Sequence, residues 1–291
     1  MKKPWIALIV LLTISCAEKN EYYTLDDFDK VDKIDTHIHV FADRNSFVNQ
    51  AKKDNFRLLN IMVDLSKGEE LIKEQYDYCL AQKKGHPEDY EFATSFSIED
   101  WDNPDFTKNT IAWLDKSFEE GAIAVKVWKN IGMVFRDKDN ELIMVDNPKL
   151  DTIFDYLASK KIPLVGHLGE PKNCWLPLDE MTTNNDRKYF SEHPQYHMYQ
   201  HPELPSYEEQ IAARDRMLEK HPDLVFIGAE MQKEMHKMWL TDWRFFVTDE
   251  LMASDLVNEE FRGLKLPKEA VDKIYFQNAK KWLKMFPSNG I

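Results

Sequence analysis

The sequence predicts an α/β fold: a parallel sheet covered by helices. Three observations predict it. Short apolar β-type runs alternate with helical stretches six times between residues 33 and 229. No repeat, low-complexity tract or Gly/Ser-rich linker interrupts the alternation. Polar residues capable of chemistry fall at or near the C-terminal ends of the first, fourth and fifth runs, where barrel active sites lie. Periodicity alone does not separate a barrel from an open sheet, but no Gly-x-Gly-x-x-Gly follows the first run, which weighs against a dinucleotide-binding sheet.

Lys33 to Val40 is the first strand, and a helix can follow from Arg44 to Asp54. Arg57 to Asp64 is the second, followed by a helix from Glu69 to Lys84 with Leu71, Ile72, Tyr76 and Cys79 or Leu80 at helical spacing. Glu91 to Ser97 is the third. The helix after it, Asp105 to Glu119, aligns Ile111, Leu114 and Phe118 and is closed by Gly121. Ala122 to Trp128 is the fourth strand, and Asn147-Pro148 opens a helix that runs to Lys161. Ile162 to His167 is the fifth. A long loop-rich stretch precedes a helix from Ser206 to Lys220, and Leu224 to Ala229 is the sixth strand. Beyond it, Lys233 to Arg244 and Leu266 to Leu283 read as helices.

The chain has 291 residues, 43% hydrophobic, enough to bury a core of one large domain or two ordinary ones. Lys and Arg total 38 against 51 Asp and Glu, and the net charge of -13 argues against nucleic acid or anionic lipid as a partner of the folded body. Three cysteines cannot form a disulfide framework, so Cys79 and Cys174 are expected as buried thiols. The N-terminus differs from the rest. Lys2 and Lys3 precede ten apolar residues, Trp5 to Ile14, too short to span a bilayer but right for a signal peptide. Thr13-Ile14-Ser15-Cys16 resembles a bacterial lipobox. That resemblance implies a signal peptide over residues 1–15, lipidation of Cys16, a polar tether over 16–30, and a body over 31–291 held at the bacterial cell envelope by its lipid anchor alone. An ordinary secretory signal with an incidental Cys is the other reading.

His37-Ile38-His39 is the sharpest local feature. Residues i and i+2 of a strand share a face, so two imidazoles at one strand end can converge on one metal. His167 ends the fifth strand between Gly166 and Gly169 and is a plausible third ligand. Three neutral nitrogens and a water make a catalytic zinc arrangement. Lys126 on the fourth strand could orient a substrate carboxylate, ligate metal if carbamylated, or simply face solvent. In the loop-rich stretch, His193, His197 and His201 recur every four residues, but Pro194 and Pro202 break the helix that would align them. A substrate-contacting lid, with Tyr196 and His197 as its contacts, is the better expectation.

These motifs, with Ile34-Asp35-Thr36 before the histidines and Phe226-Ile227-Gly228-Ala229 in the sixth run, resemble the amidohydrolase superfamily. More narrowly they resemble its amidohydrolase-related branch, which includes decarboxylases similar to aminocarboxymuconate-semialdehyde decarboxylase. The resemblance implies a (β/α)8 TIM-type barrel, a divalent metal, zinc by its ligands, held by His37, His39 and His167, and a small-molecule substrate. The reaction implied is hydrolysis of an amide, ester or lactone, with non-oxidative decarboxylation as the sibling. The sequence departs from the family in three ways. Glu230 stands where a His is usual, too little chain follows for two more βα units, and no clear strand-eight Asp is present. The barrel is therefore expected to be incomplete, lacking strands seven and eight. Asp249 ends a β-type run, Phe245 to Thr248, and is the better catalytic candidate; Asp242 lies in a helical run, and Glu230 is a possible substitute ligand. A shortened, catalytically impaired relative that only binds is the rival reading.

Overall fold

The computed structural model describes residues 21–228 and 235–286. Cys16 and Glu230 lie outside these. Six parallel strands form one sheet: β1 (Lys33–Ile38), β2 (Phe56–Ile61), β3 (Tyr90–Ser95), β4 (Ala122–Val127), β5 (Leu164–Gly166) and β6 (Phe226–Gly228). Their spatial order follows their order in the chain. With right-handed crossovers, that order puts every connecting helix on the same face. A doubly wound sheet, whose order reverses, would have helices on both. The sheet is thus an open, curled half-barrel, and among the described residues no strand bridges β6 back to β1.

The outer face carries α1 (Ser46–Lys53), α2 (Glu69–Gly85), α3 (Phe106–Glu119), α4 (Pro148–Lys160) and α6 (Tyr207–Lys220) in two apolar clusters. Several of these helix ends follow from local sequence. Asn147 accepts a hydrogen bond from the Lys149 amide at 3.0 Å, and Pro148 occupies the first helical position, where no amide is needed. Ser206 and Glu209 form a reciprocal capping box at α6. Gly121 follows α3 with φ +108°, open to glycine and strained for other residues. Between β5 and β6, α5 (Asn184–Glu192) and several 3-10 turns enclose a small core of Cys174, Met181, Phe190 and Met198. Cys79 and Cys174 are both buried free thiols, as expected.

The inner face is apolar: Ile34, Leu59, Ile61, Ala93, Ala124 and Val165 pack against Ala279, Leu283 and Met285. Ala279 and Leu283 belong to the C-terminal helical segment, which comprises α8 (Lys268–Asp272), a π turn over Lys273–Gln277, and α9 (Asn278–Leu283), and Met285 follows it. The segment occupies the concavity that two further strands would close in a full barrel.

One expectation is corrected. Phe245 to Val247 are not a strand but the last turn of α7 (Met235–Val247). Trp239, Trp243 and Val247 recur every four residues and all bury in the outer cluster beside β1, so the helical period prevails. The only strands beyond it among the described residues are a two-residue antiparallel pair, β7 (Leu251–Met252) with β8 (Phe261–Arg262), outside the main sheet. No described helix is long and apolar enough to cross a membrane.

Candidate functional site

An irregularity in β1 aims the histidine pair. The β1–β2 register shifts between Asp35 and Ile38. Ile34 packs in the inner cluster, yet Ile38 packs in the outer one, whereas residues four apart in a regular strand share a face. The extra residue flips the strand, so His37 and His39, flanking Ile38, share the opposite face from it. Their Nε2 atoms stand 3.1 Å apart. Two nitrogens bound to one tetrahedral zinc ion at its usual bond length lie about 3.3 Å apart. The Nδ1–H of His39 donates to the Ile61 carbonyl at 2.7 Å, which leaves its Nε2 with a free lone pair.

On β4 and β5 the alternation that puts Ala124 and Val165 inside also puts Lys126 and His167 inside, one step nearer the C-terminal ends. Lys126 is fully buried, so the solvent-facing reading is overturned, and its Nζ has no hydrogen-bond partner. Both ring nitrogens of His167 are likewise buried without a hydrogen-bond partner. Its Nε2 lies 4.0 Å from Glu170, a carboxylate already held by Lys129. Trp128 stands among these groups: its ring centroid is 6.1 Å from that of His39, 4.8 Å from that of His167, and 5.4 Å from the Lys126 Nζ.

The electrostatics follow from crowding basic groups in a dry place. Burial, then the neighbouring Lys126, pulls the pKa of His37 down to about 3. Burial does the same to His39, to about 4, and to His167, to about 3. Burial alone lowers Lys126 to about 7. Neutral imidazoles with available lone pairs are metal donors rather than ion-pair partners. The donor chemistry therefore fits a divalent cation on His37, His39 and His167. The arrangement, as it stands, does not close: among the described residues no three His, Cys, Asp or Glu side chains are grouped to hold one ion.

The other sequence candidates lie elsewhere. Asp249 is exposed and paired with Lys265 at 3.0 Å. His197 is buried inside the excursion between β5 and β6, where its Nε2 meets the Leu176 carbonyl at 2.8 Å and its Nδ1 lies 3.3 Å from Gln200. Tyr196 is exposed, and its carbonyl accepts from Cys174. Beside His167 opens a recess of about 450 Å³, reached by Lys172, Tyr207 and Arg214. Trp128 and Glu170 were missed by the sequence reading. Trp128 was detectable, since it follows Lys126 by two residues; Glu170 carried no periodic signal.

No protein-family model matches the chain, and no curated protein matches it. Among solved structures it is similar to a 2,6-dihydroxybenzoate decarboxylase from Rhizobium, with a TM-score of 0.40 and 14% identity over 64% of this chain. It is also similar to an amidohydrolase II, with a TM-score of 0.42 and 15% identity over 67% of this chain and 65% of that one. A third is 4-oxalomesaconate hydratase from Rhodopseudomonas palustris, with a TM-score of 0.41 and 12% identity over 83% of this chain and 80% of that one. The match spans only 55% of the length of the decarboxylase.

Proposed function

We propose that the chain is a metal-dependent hydrolase of a small organic amide, ester or lactone, of the amidohydrolase-related kind. His37, His39 and His167 would hold a divalent metal, zinc by their chemistry. The observation that carries this reading is the pair of Nε2 atoms 3.1 Å apart, on imidazoles kept neutral by burial, at the C-terminal end of a barrel-type sheet. A bound divalent ion supplies Lewis acidity and a water of lowered pKa. The chain's own groups do the rest. The Ile61 carbonyl fixes the His39 tautomer, Trp128 excludes water beside His167, and Lys126 presents a buried amine to an acidic group of the substrate.

The chain purified with zinc should carry about one ion, hydrolyse members of an ester, lactone and amide panel, and lose turnover to a chelator. His37→Ala should lose the metal; unchanged metal content in that variant defeats the site. A second reading is favoured by the position of Asp249, whose pairing with Lys265 at the surface leaves no general-base carboxylate from that segment. Metal bound without turnover on the panel, extended to aromatic carboxylates as decarboxylation substrates, would select this impaired relative. The same proposal includes a lipid anchor on Cys16 at the cell envelope. Cys16→Ser should move the protein from the membrane fraction to the soluble fraction, and unchanged partition would remove the anchor.

A further inference from the structure

The recess of about 450 Å³ beside His167 lies at the C-terminal ends of β5 and β6, whose last residues, Gly166 and Gly228, line it. Barrel-type sheets present their substrate-binding groups from that rim. The volume suits a small molecule. His167 is itself part of the wall, so whatever enters the recess lies against the proposed metal site.

The wall is basic, in a protein whose net charge is -13. Lys172 and Arg214 line it, and the one carboxylate among the lining residues, Glu170, is already held by Lys129. Both cations are delivered by local structure. Tyr207, Ile211 and Arg214 all line the recess, and their spacing is that of one face of α6. Lys172 opens a 3-10 turn after Pro171 and stands 5.8 Å from the Tyr207 ring centroid, with Trp175 at 5.6 Å on that same ring. Neither cation is committed. Arg214 reaches the neighbouring Asp215 through Nε and Nη2, both to one oxygen, which leaves its Nη1 without an acceptor among the described residues. That pair is 35% and 52% exposed, so it holds the guanidinium only weakly. No described carboxylate pairs with Lys172, which is exposed. Two such charges on one recess favour an anion between them. A guanidinium takes an oxyanion side-on, and an ammonium attracts it as a point charge.

We propose that this recess is an oxyanion subsite for the substrate. A carboxylate or phosphate, carried away from the bond that is cut, binds between Lys172 and Arg214 and makes the chain selective for acid-bearing amides, esters or lactones. That the anion belongs to a substrate rests on the hydrolase reading; the subsite itself needs neither metal nor turnover.

Calorimetric titration of the metal-free full-length protein at low ionic strength tests the subsite, with butyrate and inorganic phosphate as probes and butyramide as the neutral counterpart. The expected result is saturable binding of at least one anion, the tighter naming the group, and none of the amide. Arg214→Gln and Lys172→Gln should each weaken that anion about fivefold or more, and added salt should weaken it in the wild type. Saturation by neither anion, equal binding of the amide, or unaltered affinity in both variants would each overturn the proposal. On the hydrolysis panel, an acid-bearing ester should show a KM about tenfold below that of its neutral counterpart, and Arg214→Gln should erase the difference. Equal KM values in the wild type would overturn the selectivity. Anion binding that both variants weaken, without turnover, removes the hydrolase reading and keeps the subsite; turnover without anion binding does the reverse.

Discussion

Lys33 is 1% exposed at the start of β1. Its ammonium donates to the carbonyls of Phe28 and Val31 and sits 4.6 Å and 4.8 Å from the ring centroids of Phe28 and Phe56. Burial lowers its pKa from 10.5 to about 8. Between those values the unfolded chain keeps a proton that the folded chain has shed, so this residue makes stability rise with pH from about 8 towards 10.5. Urea unfolding across that range should show the rise, and Lys33→Met should remove it; parallel pH profiles for the two proteins would contradict the assignment. Lys33 also marks what a sequence can and cannot disclose about single residues. The His37-x-His39 pair was legible because strand period alone sets two side chains on one face. The bulge that turns the pair inward left no sign, because it depends on where β2 docks. The run before Asp249 was misread as β-type because Phe245 to Val247 are apolar in a row, and only the packing of Trp239 and Trp243 reveals them as helix.

Elements were the most legible level, since caps and turn residues are local. The helix expected from Ser206 does start there, with the Glu209 amide donating to the Ser206 hydroxyl at 3.1 Å and the Ser206 amide to Glu209 at 2.7 Å. α6 delivers the chain to β6 and buries Ala213 and Met217. Ser206→Ala should cost about 1 kcal/mol in urea unfolding, the usual value of an N-cap, and leave metal content unchanged. Strand ends were less legible. The predicted fifth and sixth strands ran longer than the three residues each that pair as Leu164–Gly166 and Phe226–Gly228. Pairing needs a neighbour in register, which composition cannot announce. The excursion after β5 illustrates the same limit: its length suggested a substrate-contacting lid, but nothing in its composition announced that His197 and Phe190 stack on each other at 5.5 Å within it.

At the scale of the molecule, the open sheet must protect an inner face that a complete barrel would close with further strands. The helical order and the missing strands were legible, but the occupant of the concavity was not. Residues 266–283 read simply as a last helix, with nothing to say which face of the sheet it would cover. Its Leu283 is 5% exposed and packs with Ala279 and Met285 over Ile34, Leu59, Ile61 and Val165. That contact joins the edge strand β1 to the centre of the sheet, and it lies below the histidines that end β1. Loosening it should therefore act on both stability and site. Leu283→Ala should cost about 2–5 kcal/mol, as a buried large-to-small change does, and should raise binding of a hydrophobic dye as the concave face becomes accessible. Because β1 is held on its far side by no other described strand, the same variant should release metal at lower urea than the wild type does. Equal stability with unchanged dye binding would mean that the C-terminal helix merely rests on the sheet, and that the half-barrel is held together from its outer face alone.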